Sequence, residues 1–219
     1  MPDVTLVLAS ASPARLATLR SAGVEPVVRV SDVDEPGAVA AAEQEHGTLA
    51  AEDVTLLLAR AKAEDVVASL EESGEDLQVE LVLGCDSMLE LDGEVHGKPA
   101  DAAEAVERWR RMRGRSGVLH TGHWLVDLRD TGDGGTGGQL GGTASTTVHF
   151  ADLSDAEIDD YVATGEPLRV AGAFTLDGLG GPYVAGIEGD PGTVVGVSLP
   201  LLRELVGELG LAWHDLRTR

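Results

Sequence analysis

The chain has 219 residues, 43% of them hydrophobic, and a formal net charge of −22 at pH 7. That length supplies one sizeable core. That charge repels DNA, RNA and anionic lipid headgroups, so nucleic-acid binding through a broad basic surface is excluded. Of the 16 basic residues, only Lys62 and Lys98 are lysines. They mark either two places that need a compact, strongly hydrated cation or the chance survival of two exposed lysines. The one cysteine, Cys85, rules out a disulfide within the chain and fits a reducing compartment. No apolar run reaches membrane-spanning length and no basic leader precedes the first one. The expectation is a soluble, cytoplasmic protein with no membrane partner.

Thr5 to Ala9 reads as a first strand. Ser12 suits the N-cap of the helix that follows, Pro13 its first position and Gly23 its end. Strand, serine-bearing turn and helix N-terminus are either an anion site, to which Ser10 and Arg15 add a hydroxyl and a guanidinium, or an ordinary capped helix. Val27 to Val30 reads as a second strand. It leads into Ser31-Asp32-Val33-Asp34-Glu35, whose carboxylates are either a solvated turn or hard oxygen ligands for Mg²⁺ or Mn²⁺. A long helix is expected from Thr48 to about Glu72. Val54, Leu57, Leu58 and Ala61 have helical spacing, and Lys62 lies at the edge of their stripe with its head free to enter a cleft. Ser73 to Asp76 reads as a polar connection.

Val79 to Pro99 is the most informative stretch. Leu81-Val82-Leu83 has the character of a buried strand, Gly84 ends it, and Asp86 follows at its carboxyl end, where ligands gather in α/β sheets. Asp86 there either satisfies turn N–H groups or does chemistry. Met88 to Leu91 reads as another strand, Asp92-Gly93 as a tight hairpin turn, and the return delivers Lys98. Strand alternation turns Cys85 away from Asp86, as a buried thiol.

Pro99 is expected to open a helix with Ala102, Ala105, Val106 and Trp109 on one face, and Arg108 to Arg115 complement its C-terminal dipole. Val118 to Leu128 reads as a strand on which His120 and His123 face opposite sides and cannot chelate one metal together. Asp130 to Gly142 reads as a flexible glycine-rich hairpin loop within a single domain of residues 1–219, and Thr146 to Phe150 as the returning strand. Ser154 to Glu157 is a capping box that opens a helix ending at Gly165. Ala171 to Gly181 is glycine-rich enough for backbone to approach a flat ligand or a phosphate. Gly189 to Thr193 is a turn, and Ser198 and Pro200 start a last helix that Gly210 ends.

In order and spacing these blocks resemble the Maf-type nucleotide pyrophosphatases, also described as septum formation inhibitors. The resemblance rests on Leu8 to Arg15, Ser31 to Glu35, Ala61-Lys62-Ala63, Gly84-Cys85-Asp86 and Asp92 to Pro99. It continues through Thr164 to Leu168, Ala171 to Gly181 and Val195 to Pro200. It implies an α/β fold related to inosine-triphosphate pyrophosphatases: a mixed twisted sheet flanked by helices, two lobes around a cleft, usually as a homodimer. It also implies hydrolysis of a nucleoside triphosphate, of standard or modified base, to monophosphate and pyrophosphate with a divalent cation, Mg²⁺ or Mn²⁺. Carried over by position, Asp86 matches the catalytic acid/base and a metal ligand, and Glu35 a carboxylate near the metal. Ser10, Arg15, Lys62 and Lys98 match the polyphosphate-binding positions.

The departures concern specificity. Ala14 stands where many members have an arginine, Ser87 where Thr or Gln is frequent, and Asp177 where two branches of the family carry other residues. Gly117 replaces a frequent histidine. An ionised Asp177 accepts hydrogen bonds, which favours a base edge that offers donors, such as a guanine-like one. Two further readings stand beside the pyrophosphatase: a nucleotide-binding regulator of cell division with little turnover, and a broad phosphatase releasing orthophosphate.

Overall fold

The computed structural model describes residues 4–73 and 79–218; the polar connection expected after Ser73 lies outside them. The strands are β1 (Leu6–Ala9), β2 (Val27–Arg29), β3 (Leu81–Leu91), β4 (Glu94–His96), β5 (Ser116–Asp127), β6 (Gln139–Phe150) and β7 (Val184–Glu188). The helices are α1 (Pro13–Ser21), α2 (Glu35–His46), α3 (Ala51–Ser73), α4 (Ala102–Met112), α5 (Asp155–Ala163), α6 (Pro191–Val195) and α7 (Leu199–Glu208). The strands form one mixed sheet in the order β2-β1-β3-β5-β6-β7, with β4 added to β3. No described helix is long and apolar enough to cross a membrane.

β3 is the spine of this sheet. It pairs parallel with β1 along Leu81 to Gly84 and antiparallel with β5 along Leu81 to Glu90. β4 takes the same edge as β1, but only from Leu89 to Leu91. Between the end of β1 and the start of β4, no strand of the described residues lies beside this edge of β3 at Cys85 to Met88. Gly84 therefore does not end the strand, and Asp86 stands in the middle of an eleven-residue strand rather than at its terminus. The hairpin reading of Asp92-Gly93 holds: φ is 56° and 77°, the left-handed pair that a tight two-residue turn requires.

The glycine has a packing reason instead. A Cβ on Gly84 would lie 2.0 Å from the Ala59 carbonyl oxygen, and one on Gly122 would lie 2.3 Å from that of Thr55. Both glycines let the backbone of α3 lie almost on the sheet. The buried face of α3 accordingly carries the small residues Ala51, Ala59 and Ala63 beside Val54, Leu58 and Val66. Lys62 belongs to that face and is not at its edge. Gly84→Ala sets a methyl against backbone that cannot yield. It should destabilise the fold by about 3 kcal/mol and move α3 off the sheet. Urea unfolding measures this, and a variant as stable as the parent would refute the close-approach argument.

Other boundaries also differ from expectation. α2 has no counterpart in the sequence reading; no residue in it is buried, so it prints no apolar periodicity. The long helix starts at Ala51 rather than Thr48, and the helix expected from Pro99 starts at Ala102 with Asp101 as its cap. The glycine-rich loop stops at Gly138, because Gly141 and Gly142 belong to β6. A Cβ at Gly141 would meet the Trp124 ring at 2.2 Å, so this strand glycine makes room for an indole. Upstream, the buried Asp127 carboxylate gathers the loop. It accepts from the Arg129 guanidinium and from the N–H and hydroxyl of Thr136. Burial alone would raise this carboxyl; those donors outweigh it and hold Asp127 well below the usual range.

The core is divided along β3. Its first half packs with β1, α7 and the α3 face, in clusters around Leu8, Leu83, Leu125 and Leu202 and around Val7, Ala63 and Val82. Its second half packs in a separate cluster around Leu89, Trp109, Phe150 and Tyr161. Trp109 is a core residue, as expected, and donates its indole N–H to the Ala173 carbonyl at 2.8 Å. The segment of β3 that is paired only with β5, Cys85 to Met88, lies between these two cores.

Candidate active site

Strand alternation sends Asp86 to the α3 face of β3, and Cys85 and Ser87 to the other. Three elements meet at this segment. β1 ends beside Gly84, and the turn after it starts α1. Ser12 caps α1, accepting from the Arg15 N–H, with Pro13 at the first position as its sequence predicts. Ser10 sits in that turn, 7% exposed, and its hydroxyl accepts from the Ser12 N–H at 3.3 Å.

Arg15 approaches from the face opposite α3. Its guanidinium donates to Ser10 Oγ at 2.9 Å, to the Gly196 carbonyl at 3.1 Å and to Ser87 Oγ at 3.1 Å. Ser87 Oγ is in turn 2.8 Å from Thr121 Oγ1, and the Thr121 hydroxyl is held by the Thr193 carbonyl at 2.7 Å. Ser87, expected at a specificity position, is thus committed to fixing an arginine. Thr121 and Gly196 escaped the sequence reading because their part depends on cross-strand register and on a contact to a distant turn.

From the other face Lys62 reaches down α3. Its ammonium is 2.5 Å from Asp86 Oδ1 and 2.8 Å from Glu35 Oε1. Lys62 is 9% exposed and Asp86 6%, so this is a buried pair with a half-exposed second carboxylate. Glu35 is the first residue of α2, which Asp34 caps through the Gly37 N–H. Of the acidic turn, Asp34 is used as a cap and the backbone N–H of Asp32 is held by Asp65, while Glu35 joins the lysine.

Burial pushes the Asp86 carboxyl up from its ordinary value; Lys62 and Arg15 pull it back, and Glu35 adds to the rise. The second oxygen, Oδ2, is buried with no hydrogen-bond partner among the described residues. A buried carboxylate oxygen without a donor is costly unless something else meets it, so Oδ2 is the free valence of the site. Cys85 takes no part: it lies in the core, and burial first of all pushes its thiol up to about 12.

Among the described residues, no side-chain hydrogen bond or ion pair joins the remaining expected residues to this cluster. A Cβ on Gly97 would lie 3.4 Å from Met88 Sδ, so the chain leaving β4 passes close to the open segment. Lys98 follows it, is exposed, and makes no ion pair with a described residue. Ala14 is half-buried in the first turn of α1. Asp177 is exposed on the glycine-rich run, and no described residue bonds its carboxylate.

The family profile described as Maf-like protein matches residues 5–209. A Leifsonia xyli subsp. xyli protein named nucleoside triphosphate pyrophosphatase is 56% identical over 214 residues, which is 98% of this chain and 97% of that one. A Salinispora tropica protein of the same name is 59% identical over 214 residues, 98% of this chain and 88% of that one. One from Streptomyces coelicolor, also so named, is 51% identical over 215 residues, 98% and 95% of the two chains. With a profile match over nearly its whole length and likeness of this degree from end to end, the chain belongs to the Maf-like protein family.

Proposed function

We infer that the protein hydrolyses nucleoside triphosphates to nucleoside monophosphate and pyrophosphate. The observation that carries this reading is the buried Lys62–Asp86 pair where β3 is open on one edge, flanked by Arg15 and the N-terminus of α1. In a chain of net charge −22, these cations and the positive end of the α1 dipole are what draws a polyphosphate to one spot. The names of the relatives agree with it.

The chemistry follows from the groups present. A water oxygen bonds to the α-phosphorus, and the bond from that phosphorus to the α,β-bridging oxygen breaks. Asp86 accepts the proton that the water loses. Lys62 and Arg15 meet the charge that gathers on the departing pyrophosphate, in a site where water is scarce and a fixed cation counts for more. Rigid placement on a strand and two helices contributes orientation.

A divalent cation fits the donors. Asp86 Oδ2 is a buried hard oxygen without a partner among the described residues, and Glu35 shares the same ammonium. No described group of three or more His, Cys, Asp or Glu side chains stands ready as a complete metal site. That suits Mg²⁺ or Mn²⁺, which bind through one or two carboxylates and complete their shell with substrate phosphates and water. Asp86 and Glu35 would hold the ion; when bound, it supplies charge neutralisation on the phosphates.

Incubation of the protein with GTP, UTP, ATP and CTP in Mg²⁺, with products separated by ion exchange, tests the reading. Equimolar monophosphate and pyrophosphate are expected, and EDTA should abolish both. Orthophosphate with diphosphate would overturn the assignment in favour of a phosphatase, and nucleotide binding without any product would favour a regulator.

A further inference from the structure

The α3 face of the sheet continues past Asp86. In register, Asp86 lies opposite Gly122, and Met88 opposite His120, which lies opposite Ser145 on β6. Toward Gly84 the floor is closed, since α3 backbone sits against that glycine. Toward Met88 the face is open, Met88 and Glu90 being half-buried. A substrate whose phosphates are held at Lys62 on this face therefore extends over Met88. The charges agree: cations stand at one end of this track and the Glu90 carboxylate at the other, so the uncharged end of a nucleotide belongs beside Glu90.

His120 is 7% exposed. Its Nδ1 is 2.8 Å from Ser145 Oγ, and its Nε2 is 3.6 Å from Glu90 Oε2. Nε2 is buried and has no hydrogen-bond partner among the described residues. With the Ser145 hydroxyl donating to Nδ1, the ring carries its proton on Nε2, aimed at the side of the carboxylate. At 3.6 Å the two do not bond directly. They present a donor and an acceptor side by side on the floor of the track. Glu90 lies four positions beyond Asp86 on the strand, about 13 Å away. A ribose alone does not bridge that length from the reacting phosphate; a nucleoside does.

We propose that Glu90 and His120 read the base of the substrate. Nε2–H donates to a ring carbonyl and the Glu90 carboxylate accepts from the neighbouring ring N–H, with Met88 as a soft apolar surface against the ring. The pair accepts an oxo edge, C=O beside N–H, as in guanine, hypoxanthine, uracil and thymine. It rejects the amino edge of adenine or cytosine, where a ring nitrogen acceptor faces the carboxylate and an amino donor faces Nε2–H. This assignment rests on the pyrophosphatase reading, and it moves base selection from Asp177 to β3 and β5.

The test compares kcat/KM for GTP, dGTP, UTP, ATP and CTP in the parent, Glu90→Gln and His120→Gln. Affinities for the α,β-methylene analogues of GTP and ATP are measured alongside. The parent should favour GTP and UTP over ATP and CTP by about tenfold or more, because a mismatched edge leaves buried polar groups unpaired. Glu90→Gln, on a half-exposed side chain, should bring that ratio close to one, in analogue affinity as well as in turnover. GTP and dGTP should stay alike in all three proteins. A parent indifferent to the base, variants that slow every nucleotide equally, or a Glu90-dependent preference for GTP over dGTP would each overturn the pair. If no nucleotide is hydrolysed but the analogues rank as stated and Glu90→Gln levels them, the pair stands and the pyrophosphatase reading falls. Hydrolysis without base preference is the reverse result.

Discussion

Asp86→Asn is expected to lower kcat for pyrophosphate release by about 10³-fold, roughly 4 kcal/mol of barrier, while affinity for an uncleavable nucleotide changes little. The substitution keeps size and removes the ability to take a proton from water. It also removes the nearer of the two carboxylates that meet Lys62 among the described residues, at 2.5 Å, leaving the ammonium with Glu35 at 2.8 Å. Phosphate binding should therefore survive or improve, since the lysine gives up less to meet an anion. Lys62→Met makes the contrasting case. It takes the cation from between two carboxylates, one buried and one half-exposed, so nucleotide affinity should fall and the fold should weaken together. Rapid-quench turnover and analogue titration separate the two outcomes. An Asp86→Asn protein that keeps more than about a tenth of the activity would refute Asp86 as the proton acceptor.

Local signals carried much of the fold. Ser12, Ser154 and Ser198 cap their helices as the sequence says, because a cap is decided within four residues. The Asp92-Gly93 turn is local in the same sense. What failed was glycine read by its neighbours alone. Gly84 and Gly141 look like punctuation, yet both lie within strands, one under a helix backbone and one under an indole. The sequence holds no trace of which distant atom fills the missing side chain. β7 was missed for a related reason: its short run is half-buried at the sheet edge and lacks clear alternation. At the site, the residue types of Ser10, Arg15, Glu35, Lys62 and Asp86 left a bland and a functional reading both open, and the resemblance of their blocks to the Maf-type pyrophosphatases assigned their roles. The Ser87–Thr121 and Arg15–Gly196 contacts join residues 34 and 181 positions apart, and nothing in the order of the chain announces them.

A large pH effect on stability between pH 8 and pH 5 should come from His123, away from the nucleotide track. The ring is fully buried between β5 and the start of α7. Its Nε2 accepts from the Ser198 N–H at 2.9 Å, so the proton of the neutral ring is on Nδ1, which donates to the Thr121 carbonyl at 3.0 Å. A second proton would set an N–H against the Ser198 N–H at the cap of α7. Burial, chiefly, lowers this histidine to about 4. The unfolded chain takes up a proton here near pH 6.5, whereas the folded protein does so only near pH 4. The contribution is therefore complete above pH 6.5 and is lost as pH falls from 6.5 toward 4. By linkage the loss is about 2 kcal/mol at pH 5 and about 3 kcal/mol at its limit. Carboxylates titrate in the same range, so the comparison must be internal. His123→Gln keeps an acceptor for Ser198 and a donor for Thr121 but cannot charge. Between pH 8 and pH 5 the parent should lose about 2 kcal/mol more than this variant in urea unfolding. Parallel losses would mean that His123 already carries its proton in the folded protein, and that the hydrogen bond from Ser198 does not hold the ring neutral.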